Sequence, residues 1–229
     1  MILLGAGKGL RMENDIPKQF LPLLGKPILM RTIERVNQAL EGINIILVLP
    51  KDFIGYWNLL CREYSFKIKH SVVEGGQQRF FSVKNALDTI TNDNAIVGVH
   101  DGVRPLVSVD LIRNSFFRAA NNENIVSAVN PYETIRVSNT DNNSETTTLD
   151  RNKVWLVQTP QCFNIKVLRE AYSQDYQAKF TDDSSVVESL GYEISLIQGS
   201  RENIKITNKI DFALAELLLE EIRDNGIRD

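Results

Sequence analysis

The sequence predicts an α/β fold: a mostly parallel sheet covered by helices on both faces. Short apolar runs such as "INIILVLP" (43–50) and "AIVGV" (95–99) alternate with segments whose apolar residues recur at helical spacing. Strand–helix alternation of this kind implies parallel strands joined by crossover helices. Loops rich in glycine and cations begin at or near the ends of several of these runs, where sheets of this class bind ligands.

In chain order, "MILL" (1–4) reads as a short first strand, and "GAGKGLRMENDIPKQF" (5–20) as a loop. "PILMRTIERVNQAL" (27–40) predicts a helix with Pro27 at its first position, where the missing N–H costs nothing. "INIILVLP" is a buried strand, 52–63 a helix and "FKIKHSVV" (66–73) a strand. "EGGQQR" is a loop, "FFSVKNALDTI" (80–90) a helix, "AIVGV" a strand and "HDGVRP" a turn. Residues 108–120 form a helix with Ser108 as its cap, and "NIVSAVN" (124–130) is a strand.

The rhythm then changes. Residues 133–150 read as two extended runs around the polar turn "NTDNNS", a hairpin with no obvious partner in the main sheet. It is either an arm that pairs with another subunit or an exposed flap. A strand "VWLVQ", a turn "TPQ" and helices near 164–177 and 183–190 follow. The chain continues with strands "EISLIQ" and "NIKI" and an amphipathic helix over 208–223.

The totals narrow the function. A chain of 229 residues with 43% hydrophobic and 24% charged residues is an ordinary globule. Its net charge of -3 gives no support to a nucleic-acid or membrane role, so an anionic ligand needs a local cluster of cations. No apolar run is long enough to span a bilayer, and no leader-like segment precedes the first glycine. Cys61 and Cys162 are too far apart for a zinc motif and make no disulfide framework, which fits free thiols in a reducing cytoplasm.

The chemistry concentrates in loops. Gly5, Gly7 and Gly9 alternate, and successive N–H groups of such a loop can cradle an anion. The spacing fits neither the P-loop nor the G-x-G-x-x-G dinucleotide fingerprint. Arg11, Lys18, Arg79, Arg104, Arg151 and Lys205 place cations in or beside loops and strand ends. Asp101, just past a buried strand, is where an oxygen ligand for Mg²⁺ is expected; a turn-forming Asp before Gly102 is the plainer reading. Arg104 is expected to pair with Asp101 or Glu74. His70 and His100 lack a second ligand at metal spacing, and Ser184 and Ser185 after "TDD" read as a helix cap.

Together these segments resemble the cytidylyltransferases that make CDP-linked polyols. The resemblance rests on "GAGKGLRM….PKQF", "EGGQQRFFSV", "VHDGVRP", "LDRNKVWLVQTPQCF", "FTDDSSVVE" and "GSRENIKIT", in that order along nearly the whole chain. It implies a Rossmann-like fold of the nucleotide-diphospho-sugar transferase type, one domain with a β-arm at about 133–150 that makes a homodimer. The implied substrates are CTP and a polyol phosphate, with Mg²⁺ as cofactor. The nearest branch acts on 2-C-methyl-D-erythritol 4-phosphate, in non-mevalonate isoprenoid synthesis; the ribitol 5-phosphate branch shares most motifs.

The resemblance also implies roles. Ala6, Gly7, Lys8 and Gly9 wrap the triphosphate, and Arg11, Lys18 and Lys205 act on the reacting phosphate. Gly75, Gly76 and Ser82 read the cytosine with Arg79 beside them, and Asp101 sits near the ribose and metal. Thr134, Arg151 and Thr159 grip the polyol phosphate, Thr134 from an arm that crosses to the partner subunit. Gln77 and Gln78 stand where the family often has an acidic residue, and Leu4 where it usually has proline. Two other classes compete with this reading: a non-catalytic nucleotide-binding module, which would lack the cations or Asp101, and a nicotinamide-dependent oxidoreductase, whose glycine spacing this chain does not have.

Overall fold

The computed structural model describes residues 1–7, 16–140 and 143–224. The strands are β1 (Ile2–Leu4), β2 (Pro22–Leu23), β3 (Lys26–Pro27), β4 (Ile46–Leu49), β5 (Ser71–Glu74) and β6 (Ile96–Asp101). They continue as β7 (Ile125–Val129), β8 (Arg136–Ser138), β9 (Thr146–Thr148), β10 (Leu156–Asn164) and β11 (Ser195–Gln198). The helices are α1 (Ile28–Ala39), α2 (Ile54–Glu63), α3 (Arg79–Leu87), α4 (Val109–Ala120), α5 (Ile165–Tyr172), α6 (Asp183–Glu188) and α7 (Lys209–Asp224). None of them is long and apolar enough to cross a membrane.

Seven strands form one sheet in the order β11-β7-β10-β6-β1-β4-β5. Every neighbouring pair is parallel except those of β10, which runs antiparallel to both β6 and β7. The path steps outward from β1 to β4 and β5, then jumps back to β6 on the other side of β1. That reversal opens a crevice at the carboxyl ends of β1 and β6.

Period-two alternation divides the core. Leu3, Leu47 and Leu49 face α1, α2 and α4, with Leu29, Ile33, Trp57 and Ile112 buried there. Ile2, Val48 and Val99 face α3, α5 and α6, with Phe80, Val83, Leu168 and Val187. Each such aliphatic side chain contributes roughly 1.5–3 kcal/mol when fully buried, so the two layers hold the crevice between rigid walls. Ser108 caps α4 as the sequence predicts, its hydroxyl accepting from Leu111 N–H at 3.1 Å. Asp182 and Ser185 form a capping box on α6, the expected role of the "TDDSS" segment.

Four expectations are corrected. "TPQ" is no turn, because β10 runs straight through it. Pro160 lacks an N–H, so the β7 ladder breaks between Val157 and Gln161, while Ser127 Oγ donates to Pro160 O at 2.9 Å. "NIKI" is no strand: Ile206 N–H bonds Val103 O at 3.0 Å instead of a ladder partner. Of "FKIKHSVV" only Ser71–Val73 pair, in a strand that extends to Glu74; the facing strand begins at Ile46, so 66–70 has nothing to pair with and packs Phe66 against Trp57. Pro27 caps α1 from one residue before its start and pairs with Pro22 in a small hairpin that periodicity does not reveal.

The 133–150 hairpin is present as β8 and β9, a separate two-stranded sheet. Exposed apolar side chains sit along it and its flanks: Tyr132, Val137, Leu149, Leu156 and Val157.

Candidate active site

A cavity of about 640 Å³ opens at the carboxyl ends of β1, β4, β5 and β6. Two glycine segments form one wall. Gly5 leaves β1 with its N–H on Val48 O at 2.9 Å, and Gly75 leaves β5 with its N–H on Leu49 O at 2.8 Å. A Cβ on Gly75 would lie 2.6 Å from Ala6 Cβ, so only glycine lets the two segments touch.

Two buried side chains lock that wall. Gln19, in a 3-10 turn spanning Lys18–Phe20, donates from Nε2 to Gly5 O (2.5 Å) and Gly7 O (3.2 Å). Ser82 Oγ accepts from Gly76 N–H at 3.1 Å and donates to Gln78 O at 3.2 Å. Lys18 lines the cavity next to Gln19. Arg79 lines it from the start of α3 and is ion-paired with buried Asp183, which also accepts from Tyr172 Oη at 2.6 Å. Asp183 holds the guanidinium charged, its attraction exceeding the penalty of burial. Lys8, Gly9 and Arg11 lie outside the described residues.

The opposite wall centres on Asp101, the last residue of β6 and buried. Its Oδ2 receives Arg104 Nε at 3.0 Å and Lys205 Nζ at 3.2 Å. Burial alone would raise its pKa; Lys205, Arg104 and Arg79 outweigh that and hold the carboxyl well below the usual carboxylate range. Arg104 therefore takes the structural pairing expected for it, and Glu74 instead lies 3.8 Å from Lys51.

Thr159 does not line the cavity, contrary to its expected place in the substrate pocket. It is buried beneath Asp101, where its hydroxyl accepts from Asp101 N–H at 3.1 Å and meets His100 Nδ1 at 2.9 Å. Arg104 O can only accept, so His100 Nε2 carries the hydrogen and donates to it at 3.2 Å; in the neutral ring Nδ1 is then the acceptor, and the Thr159 hydroxyl donates to it. Burial pushes His100 down to about 4, so it stays neutral in that chain.

Thr134 and Arg151 are both exposed on the arm and its base, and neither lines the cavity. Arg151 Nη1 donates to Tyr132 O at 2.7 Å. The thiols stand apart: burial raises Cys61 to about 11 and lifts Cys162 further, which makes both poor nucleophiles.

Three side chains that the sequence reading did not single out prove structural to the site: Gln19, Gln158 and Asn203. Gln19 and Gln158 are polar residues beside apolar or buried neighbours, whereas Asn203 is buried within a largely exposed segment and gives no such signal. A second, larger cleft of about 1100 Å³ lies at the other end of the sheet, lined by residues such as Lys67, Lys69 and Asn92. It brings together neither glycine loops nor a buried carboxylate, so size does not identify the site.

The carboxylate set limits what metal the cavity can hold. Among the described residues no three His, Cys, Asp or Glu converge. The contacts of Asp101 with Arg104 and Lys205 both use Oδ2. Asp101, the buried carboxylate of the cavity, has one oxygen outside those pairs, and Glu74 lines the cavity from its exposed side; such a set fits a largely hydrated divalent cation completed by ligand phosphates, not an all-protein metal cage. Glycine segments, the cations Lys18, Arg79 and Lys205, and buried Asp101 thus share one cavity, a chemistry suited to an anionic ligand.

Comparison with known proteins places this arrangement. The family described as "IspD: 2-C-methyl-D-erythritol 4-phosphate cytidylyltransferase" matches residues 1–221. A 2-C-methyl-D-erythritol 4-phosphate cytidylyltransferase of Phocaeicola vulgatus is 48% identical over 219 residues, 96% of this chain and 98% of that protein. One of Bacteroides fragilis is 46% identical over 218 residues, 95% and 98% of the two chains. Among solved structures, the Francisella tularensis 2-C-methyl-D-erythritol 4-phosphate cytidylyltransferase superposes with TM-score 0.76 at 33% identity, covering 94% of this chain and 97% of that one. The 4-diphosphocytidyl-2C-methyl-D-erythritol synthase of Anaerococcus prevotii superposes with TM-score 0.80 at 26% identity, covering 96% and 94%.

Proposed function

This chain belongs to the 2-C-methyl-D-erythritol 4-phosphate cytidylyltransferase family, and from that premise we propose how its own residues divide the work. The enzyme transfers CMP from CTP to 2-C-methyl-D-erythritol 4-phosphate, giving 4-diphosphocytidyl-2-C-methyl-D-erythritol and pyrophosphate in isoprenoid biosynthesis. The observation that carries the division of roles is the facing pair of walls: two touching glycine segments on one side, Asp101 with Lys205 and Arg104 on the other.

The reaction brings two anions together. A phosphate oxygen of the acceptor attacks the α-phosphorus of CTP, and pyrophosphate leaves in line. Two unit charges at 4 Å repel by about 4 kcal/mol at an effective dielectric of 20, so the obstacle is electrostatic. Lys18, Lys205 and Arg11 offset it and take up charge on the transferring group, while fixed positions supply the remainder. No general base is needed, because the attacking phosphate is already ionised. Ala6–Gly9 wrap the triphosphate, Gly75, Gly76 and Ser82 read the base with Arg79 beside them, and Asp101 meets the ribose and metal. Mg²⁺, held by Asp101 and the phosphates, would supply further charge neutralisation and a fixed geometry for the triphosphate.

The acceptor side requires a second subunit in this reading. Thr134 and Arg151 would grip the acceptor phosphate, yet both stand outside the cavity lining of one chain. The exposed apolar residues of the arm support its docking on another copy of this chain. Two free thiols with pKa values raised by burial fit a cytoplasmic enzyme.

Pyrophosphate release from CTP and Mg²⁺, measured with methylerythritol phosphate and ribitol phosphate in turn, tests the reading. Rapid release with the first and slow release with the second is expected. Equal rates, or release only with ribitol phosphate, would overturn the acceptor assignment.

A further inference from the structure

We infer that Gln158 and Asn203 are positioning residues that set the Lys205 ammonium against Asp101. The inference rests on the reading above in which Lys205 acts on the reacting phosphate.

The segment that carries Lys205 has no regular structure to place it. β11 ends at Gln198, Gly199 N–H makes one further bond to Ala128 O at 2.8 Å, and α7 begins only at Lys209. Between them the chain must cross the mouth of the sheet and present Lys205 in register with the end of β6. Ile206 N–H on Val103 O fixes one side of Lys205. The other side is fixed by side chains reaching up from β10.

Gln158 is buried, and its Nε2 donates to Ser200 O at 2.8 Å and lies 3.5 Å from Asn203 O. Its Oε1 accepts from Asn203 Nδ2 at 3.4 Å, and the same Nδ2 donates to Thr159 O at 2.8 Å. Asn203, fully buried, offers its backbone O to Arg104 Nη1 at 2.7 Å. Arg104 in turn holds Asp101 Oδ2, the oxygen that Lys205 reaches. The network is closed: both partners of the Lys205–Asp101 contact are tied to the same stretch of β10.

Two details say that this geometry is specific. A Cβ on Gly199 would lie 2.3 Å from Gln158 Oε1, so the backbone there makes room for the carboxamide. Asn203 Oδ1 is also a buried side-chain acceptor without a partner among the described residues. A fold that needed only to fill this space would use an apolar residue, since an unsatisfied buried amide is costly. What the amide adds is the bond from its Nδ2 to Thr159 O, which ties the loop to β10 and so sets the backbone O of Asn203 against Arg104.

A double-mutant cycle tests this. Gln158→Met keeps the volume and removes the hydrogen bonds; it is combined with Lys205→Ala, and steady-state kinetics and thermal midpoints are measured on all four proteins. Gln158→Met is expected to lower kcat about tenfold, as loss of an outer-layer partner commonly does, with the KM for CTP within about twofold. In the Lys205→Ala background the further loss should be under about twofold, because the group being positioned is gone. A tenfold loss in both backgrounds would make Gln158 a general structural residue and overturn the inference, as would wild-type kcat in Gln158→Met. Normal turnover of Lys205→Ala alone would sink the functional reading together with the inference, and that single variant identifies the case. If Gln158→Met does not fold, Gln158→Glu, which keeps an acceptor for Asn203 Nδ2 but loses the donor to Ser200, carries the same cycle with the same outcomes.

Discussion

The nucleotide-facing cavity and the β8–β9 arm are built by opposite means. Among the described residues, the walls of the cavity grow from strand ends and buried supports. Gly5 and Gly75 continue strand ladders, Asp101 ends β6, and Gln19, Ser82 and Thr159 are buried supports. The arm has one short ladder, no buried residue in either strand, and polar contacts such as Arg136 with Thr146 and Thr148 on its surface. One folded chain thus pre-organises the cavity, whereas in the proposed reading the acceptor half depends on a surface finished by a second copy of the chain. The lesson is kinetic: damage in the cavity should appear in turnover or in CTP binding, and damage in the arm in acceptor binding.

The largest effect belongs to Lys18→Ala. Loss of one donor aimed at developing charge typically costs about 10²-fold or more in kcat, and that is the expected fall here. Rapid-quench measurement of product formation checks it. Near-normal turnover would remove Lys18 from the chemistry and with it the contrast between the two regions.

Arg151→Ala and Thr134→Ala sharpen the contrast from the other side. Each is expected to raise the KM for the acceptor, about tenfold for Arg151 because hydrogen bonds to charged groups are worth roughly 1.5–3 kcal/mol. The KM for CTP should stay within about twofold, the margin expected when distant sites do not couple. If Thr134 works across the dimer, mixing inactive Lys18→Ala protein with Thr134→Ala protein should restore activity, because each mixed dimer regains one intact site. No recovery after subunit exchange would place Thr134 in its own chain's site.

Ser82→Ala is milder. It removes the acceptor for Gly76 N–H, and the cavity can offer water instead, so a rise of about three- to tenfold in the KM for CTP is expected, with acceptor KM unchanged. Isothermal titration with CTP would show the same loss directly; unchanged affinity would separate Ser82 from base recognition.

The same division explains what could be read from the sequence. Helical periodicity placed α1 and α4, the Ser108 cap was local, and the glycine and cation loops announced the cavity because strand ends collect ligands. The failures involve partners distant in the chain. Arg79 meets Asp183 across 104 residues, and Gln161 reaches Asp182 from a strand that proline had disguised as a turn. Thr159, placed among the acceptor-binding residues by the resemblance alone, lies on β10 beneath Asp101, a position that no local feature of "QTPQ" reveals. Lys205 was selected correctly as a cation of the cavity, but the strand assigned to it was wrong, since Gln158 and Asn203 replace a ladder that local propensity cannot foresee.

The smallest effect is a slope, and it isolates the cavity's electrostatics from its chemistry. Asp101 has a folded pKa well below its unfolded value near 4, held there by Lys205, Arg104 and Arg79 against the penalty of burial. Such a group contributes stability above the unfolded pKa and loses it as pH falls toward the folded value. Asp101→Asn removes that term and leaves two cations facing each other at neutral pH. The variant should therefore be less stable than the wild type at about pH 7, and the gap should narrow progressively below about pH 4, where the Asp101 carboxylate of the unfolded wild-type chain takes up a proton while the folded one stays ionised. Denaturant unfolding across that range, with both proteins at the same concentration, reads the gap without substrate or metal entering the measurement. Since Arg151 and Thr134 have no share in this network, Arg151→Ala should show a constant offset over the same range. A gap for Asp101→Asn that stays level into acid would mean that the three cations do not hold the carboxylate, and the cavity would lose its claim to be electrostatically assembled before any ligand arrives.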